Sequence, residues 1–338
     1  MTTPENSKKD LTLEIRMMQP EDAAGVVELY RAVYGDHYPV KTVYDTNAIM
    51  DLQDKGDMIR IIARADGKVV GQAAFYRSAC PNPSLYELGQ GIVLPAYRNM
   101  KILERCMAYG HDEVCPRLKI NQLWGEAVCN HVFVQRTCQL LNYVETGIEL
   151  DLMPASSYEK EKSSSGRVST LVAFKRTTPN DRPVYLPLVY REVLSYIYPA
   201  FNEDQSFLPA ESGLPDTSTE GKTEIYQGAG VARFTIMQAG GDLEDFLKKQ
   251  EAQALAKGCR ILQVYLDLSS PFIDGAVDTA RKLQYFFGAA LPGWFGGDGL
   301  IMQKCLDEPN WEGINLYAER SRRLLEMIRE DRETVLKG

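Results

Sequence analysis

The spacing of apolar positions changes period along the chain, and each change marks an element. Residues 11–16 alternate apolar and polar in the manner of a strand. Ala23, Val26, Val27, Tyr30, Val33 and Tyr34 then recur at helical spacing. Pro20, Glu21 and Asp22 open that helix, where a fixed φ and negative charge are both favoured, and Gly35 closes it. Residues 35–54 read as a variable loop. Two apolar runs, 58–65 and 68–76, flank Asp66-Gly67, the dipeptide that left-handed hairpin turns demand. The pattern continues with a strand over 86–94, a helix over 101–115, a strand over 120–128, a helix over 131–141 and a strand over 143–152.

A polar stretch over 156–166 precedes a strand at 168–175, and 177–182, with Pro179 and Asn180, reads as a domain boundary. Beyond it come a helix at 187–198, a long loop at 202–222, a strand at 232–238, a helix at 242–257, a strand at 261–268 and a helix at 274–283. The segment 296–305 forms a hairpin-like end, and 311–336 a long charged helix striped by Leu316, Leu324, Leu325 and Ile328. That helix is either an oligomerisation arm, giving a homodimer, or a solvated helix packed on its own domain. Ile120, Gln122, Leu123, Trp124 and Glu126 match Ile261, Gln263, Val264, Tyr265 and Asp267, and Leu141 and Tyr143 match Leu283 and Tyr285. The match includes polar positions, which favours an internal duplication over shared apolar periodicity. The expected organisation is a mixed α/β chain of two domains, 11–178 and 183–306, with a helical tail at 307–338.

Composition narrows the function classes. The chain has 338 residues and a net charge of −8, and an acidic surface repels phosphate backbones, so nucleic acid is not the expected partner. No apolar run reaches the roughly 18 residues a membrane span needs. The polar start over 1–10 lacks the core of a signal peptide, and seven cysteines without a Cys-x-x-Cys pair fit reduced thiols. A cytoplasmic protein is expected.

His37, His111 and His131 form no zinc spacing, and there is neither a nucleophile elbow nor a Walker loop. Gly89-Gln90-Gly91 lacks the third glycine of a dinucleotide fingerprint. Residues 87–103 carry more information: a strand runs through Val93-Leu94-Pro95-Ala96-Tyr97-Arg98 directly into a helix. Such a junction presents unpaired N–H groups and the positive end of a helix dipole, which suits a phosphate. Val93-x-Pro95-x-Tyr97-Arg98 resembles motif A of the GNAT acetyltransferase superfamily, as does the order of elements over about 11–176. The resemblance implies a central mixed, mostly antiparallel sheet flanked by helices, with a shorter, degenerate copy over 183–306.

It further implies acetyl-CoA as co-substrate. Its pyrophosphate would lie on the backbone of Arg98, Asn99, Met100, Lys101, Ile102 and Leu103, and its arm and carbonyl along Ile92 and Val93. The acceptor is then an amine on a small molecule or a protein. This loop has no glycine, where the family pattern places one at the fourth position and a glycine or alanine at the sixth. Glu87 is the candidate general base, its alternative being a solvent-facing strand residue; Glu126 is a second candidate. Cys138 falls where the family often has a tyrosine acid, and its alternative is a small buried helix residue. Trp294 and Phe295 line either a pocket or the core. The rival to an N-acetyltransferase is a non-catalytic regulatory or ligand-binding module.

Overall fold

Contacts in the computed structural model divide the chain into two units, one of residues 1–79 and 86–121, the other of 80–85 and 122–338. The structure describes residues 12–36, 38, 40–78, 81–158, 164, 166–178, 182–202 and 206–337. The polar start, Cys80, Pro179 and Asn180 lie outside the described residues. Each unit is a mixed α/β arrangement of mostly antiparallel strands with flanking helices.

In the first unit, β1 (Leu13–Met17), β2 (Met58–Ala65), β3 (Lys68–Tyr76) and β4 (Leu85–Val93) pair antiparallel in that order. Asp66 and Gly67 both take positive φ, 49° and 80°, the geometry that matches a tight hairpin to strand twist. The helix α1 (Ala23–Tyr34) lays Val26, Val27, Leu29 and Tyr30 on Ile62, Val69 and Ile92 of the sheet. Residues 35–54 are more ordered than the expected loop: Asp45 caps α2 (Thr46–Asp54), its Oδ1 accepting from the Asn47 amide at 2.8 Å. The apolar residues of α2, Ala48, Ile49, Met50 and Leu52, are bunched within little more than one turn and set no helical period, so periodicity missed it. The helix expected over 101–115 is three pieces, α3 (Ile102–Tyr109), a π turn over Gly110–Val114 and α4 (Cys115–Leu118). Pro116 follows that wide turn; a proline lacks an N–H and crowds the preceding turn, which a π bulge relieves.

In the second unit, β5 (Gln122–Val128), α5 (Phe133–Leu140), β6 (Val144–Met153) and β7 (Val168–Arg176) come first. A small parallel pair, β8 (Val184–Leu186) and β9 (Phe207–Pro209), brackets α6 (Arg191–Ile197). There follow β10 (Glu220–Tyr226), β11 (Val231–Gln238), α7 (Leu243–Ala256), β12 (Ile261–Asp267), α8 (Ile273–Lys282), β13 (Phe286–Leu291), β14 (Gly299–Cys305) and α9 (Glu319–Lys337). Spatial order in the larger sheet is β5-β7-β6-β13-β14-β12-β11-β10, where among the described residues only β11 and β12 pair parallel, with α7 as their crossover.

The division differs from the boundary expected at 177–182 because β6 pairs with β13, Gly147 opposite Ala289. A Cβ at Gly147 would stand 2.1 Å from the Gly288 carbonyl, so that seam needs a glycine. The two matching sequence segments follow the same path. Each strand, β5 or β12, pairs antiparallel with a later one, β7 or β14, and leads through a helix to β6 or β13. Each helix also closes alike, on Asn142 and Gln284 at φ 58° and 69°, with Tyr143 and Tyr285 donating at 3.0 Å to the Cys138 and Ala280 carbonyls.

β10 begins within the loop expected over 202–222 and runs past its end; it is an edge strand, and its charged residues hid it. The terminal helix begins at Glu319 and buries Leu324, Ile328 and Val335 in its own unit's core. Trp294 is core as well, 4.9 Å from Trp124 in an edge-on contact, and Phe295 packs in the same cluster. Among the described residues no helix is long and apolar enough to cross a membrane.

Candidate functional site

The site elements of the first unit are built on a bulge. Gln72 opposes Ile92 and Ala74 opposes Gly89, so Gln90 and Gly91 face Ala73 alone, and Gln90 takes φ 49°. A buried polar clamp holds this conformation. The Gln90 Oε1 accepts from the Tyr30 hydroxyl at 2.9 Å and from Arg60 Nη1 at 3.0 Å, while Gln72 Nε2 donates to the Gln90 carbonyl at 3.2 Å. Arg60 is only 1% exposed and burial lowers its pKa; burial likewise pushes the Tyr30 hydroxyl up to about 12. A bulge bends its strand and increases local twist, so β4 turns at Gln90 and then pairs with β3 again through Ile92 and Val93. The sequence had offered the signal: Gly89-Gln90-Gly91 is a bulge, not the remnant of a nucleotide loop.

The last ladder bond is donated by Leu94 to the Val70 carbonyl, 2.9 Å. Alternation along an antiparallel pair then turns the Val93 N–H away from β3, while Ile92 is buried against the core of α1. One 3₁₀ turn over Pro95–Tyr97 carries the chain to Arg98, which is extended and exposed. Asn99 and Lys101 follow with φ 67° and 56°, both exposed, as is Met100 between them. Lys101 is the N-cap of α3 and makes no side-chain cap, and its carbonyl accepts the first helical bond, from Arg105 at 2.9 Å. The N–H groups of Ile102, Leu103 and Glu104 therefore have no partner within the helix. A left-handed residue followed by a right-handed one forms a backbone nest for anions. Lys101 thus holds a left-handed conformation that a glycine adopts freely, at the strain of about 1–2 kcal/mol that an L-residue pays there. Ile102 is buried against Gly71, and the half-buried Leu103 covers Gly91, whose added Cβ would lie 2.8 Å from Leu103 Cδ1.

Glu87 lies on β4 opposite Tyr76, and the Tyr76 hydroxyl donates to Glu87 Oε1. The carboxylate is half-buried and oriented, unlike a solvent-facing strand residue. Tyr76 was not singled out from sequence; strand register alone pairs it with Glu87.

Two other candidates belong to the second unit. Glu126 on β5 accepts from Arg233 Nη2 at 3.3 Å, and the same nitrogen reaches Glu149 at 3.4 Å, so Glu126 serves an ion-pair network. Cys138 on α5 is 8% exposed, and burial, with Glu145 nearby, pushes its thiol up to about 12. A proton held that firmly suits packing better than acid catalysis. Native protein treated with iodoacetamide at pH 8 should leave Cys138 unmodified and urea should open it to labelling, as read by mass spectrometry; Cys138→Ala should keep kcat.

No protein-family model matches the chain, and no curated protein matches it. Among solved structures, the acetyltransferase of GNAT family from Streptococcus pneumoniae is similar at 16% identity over 49% of this chain and 99% of its own, with TM-score 0.41. The ribosomal-protein-S18-alanine N-acetyltransferase from Escherichia coli is 14% identical over 50% of this chain and 96% of its own, with TM-score 0.38. For yncA from Salmonella typhimurium, solved with its cofactor acetyl-CoA, the figures are 15%, 50%, 95% and 0.40. These neighbours are GNAT acetyltransferases, and the chain is similar to them over about half of its length.

Proposed function

We propose that the protein is an N-acetyltransferase that moves the acetyl group of acetyl-CoA to an amine by direct attack. The observation that supports this most is the left-handed backbone of Lys101, kept without a glycine at the start of α3. In this reading the amides of Asn99 to Leu103 hold the pyrophosphate, and Arg98 and Lys101 add positive charge. The Val93 N–H stabilises the oxyanion as the amine nitrogen bonds to the carbonyl carbon. Glu87 takes the ammonium proton that frees the lone pair for attack, and as the C–S bond then breaks the nitrogen gives its second proton to solvent. The thiolate draws its proton from solvent. The acceptor is a small-molecule or protein amine in the cytoplasm.

We also propose that β10 to β14, with α7 and α8, are a shorter copy of the same strand–helix series. The shared helix closures at Cys138 and Ala280 support that reading. A second functional reading, a module that has lost turnover, is favoured by one feature: Leu103 covers the Gly91 backbone, narrowing the approach to β4. Incubation with acetyl-CoA and a broad amine panel decides between them. Release of free thiol together with an acetylated product supports the enzyme; binding of acetyl-CoA without turnover on any amine supports the module.

A further inference from the structure

The parallel strands β11 and β12 pair from Val231–Ile261 to Thr235–Tyr265 and then separate. Between their ends lies a cavity of about 350 Å³, within the range of small-molecule sites. Ile236, Leu266, Ile273 and Ala276 form its apolar lining, with Phe272 beside them. Thr217, Gln238, Asp267 and Ser270 supply its polar atoms. Among the described residues no lysine or arginine lines it.

The nearby start of α7 is closed to anions. The Gly240 and Gly241 amides are bonded at 3.0 Å to Thr219 Oγ1 and the Thr217 carbonyl. The strap is so close that a Cβ at Gly240 would stand 2.0 Å from the Thr217 oxygen. Asp242 accepts from the Thr219 amide at 2.6 Å, and its bonds with the Thr219 side chain and amide lower its pKa; Glu244 and Asp245 follow in the first turn. These acids oppose phosphates and carboxylates at the start of α7. Asp267, by contrast, gives one oxygen to Ser269, Oδ1 accepting from its amide at 2.8 Å and its hydroxyl at 2.6 Å. Among the described residues Oδ2 has no hydrogen-bond donor.

We propose that this cleft binds a small amphipathic amine, its ammonium on Asp267 and its alkyl or aryl body against Ile236, Leu266, Phe272 and Ala276. An apolar slot with a single carboxylate at its wall selects a cation with a hydrocarbon tail over a neutral or anionic one. The site is independent of acetyl transfer in the first unit, and nothing in it requires turnover.

The test is calorimetric titration of the full-length protein with hexylamine, hexanol and hexanoate. Hexylamine should bind, hexanol more weakly and hexanoate not at all. Asp267→Asn retains the oxygen that accepts from Ser269 and removes the charge, so it should weaken hexylamine about ten- to a hundredfold and leave hexanol unchanged. Ala276→Leu, which fills the slot, should remove both. Melting curves of both variants confirm that they fold. Hexylamine binding unaltered in Asp267→Asn, or hexanoate binding as tightly as hexylamine, overturns the proposal, as does absence of any hexylamine heat in the wild type. Glu87→Gln should not change the Asp267-dependent binding, so failure of the transferase reading and failure of this one give different results.

Discussion

Glu87→Gln is expected to lower kcat by about 10²- to 10⁴-fold while leaving acetyl-CoA affinity unchanged. An ammonium has no lone pair with which to attack a thioester, so its proton must go somewhere before or during attack. Glu87 is half-buried on β4, oriented by the Tyr76 hydroxyl, and three residues from the bulge at Gln90. Glutamine retains the shape and can still accept from Tyr76, but takes no proton. The deficit should shrink as pH rises and more amine is already neutral. Tyr76→Phe should give a smaller loss, because it removes the orienting bond and leaves the base. Steady-state kinetics across pH read all three effects. Full kcat in Glu87→Gln at every pH would contradict the assignment and leave selection of the neutral amine by binding as the explanation.

The largest stability effect is expected at Asp22. The side chain is 1% exposed and accepts from Arg16 Nη1 at 2.6 Å, Arg64 Nη1 at 2.7 Å and the Gln19 amide at 2.8 Å. It therefore ties the start of α1 to β1 and β2 in one group. Asp22→Ala leaves two guanidinium groups side by side without their shared carboxylate and removes the acceptor from the helix start. Breaking a buried ion pair from one side costs about 3–5 kcal/mol, and the partial exposure of both arginines sets the expectation at the lower end. Urea unfolding measures it. Asp51→Ala, which breaks the exposed pair with Lys55, is the control and should not shift the midpoint measurably. An Asp22→Ala protein as stable as the wild type would mean that solvent replaces the carboxylate.

Much of the fold was legible where local rules act alone. Asp66-Gly67 fixed the hairpin, and the acids after Pro20 marked the start of α1, although as a dipole effect and not as the buried clamp that Asp22 forms. What stayed hidden depends on partners distant in sequence. The clamp on the Gln90 bulge draws on Tyr30, Arg60 and Gln72, which periodicity sees only as core or strand positions. β10 looked like loop because an edge strand needs no apolar face, and the seam at Gly147 looked like any strand glycine. Cys138 was placed by counting back along a helix, and counting carries no information about burial. The glycine-free loop was misleading in the opposite sense. Backbone conformation is set by the whole loop, and Asn99 and Lys101 adopt the left-handed region without a glycine.

Calorimetric titration of acetyl-CoA into the full-length wild type and Arg98→Glu decides whether the turn from β4 into α3 holds acetyl-CoA. Arg98 is exposed and outside the core, so the variant should fold with an unchanged melting curve. One binding event is expected in the wild type, weakened about tenfold or more in Arg98→Glu by reversing a charge beside the phosphates. No heat in the wild type, or equal affinity in both proteins, would contradict it.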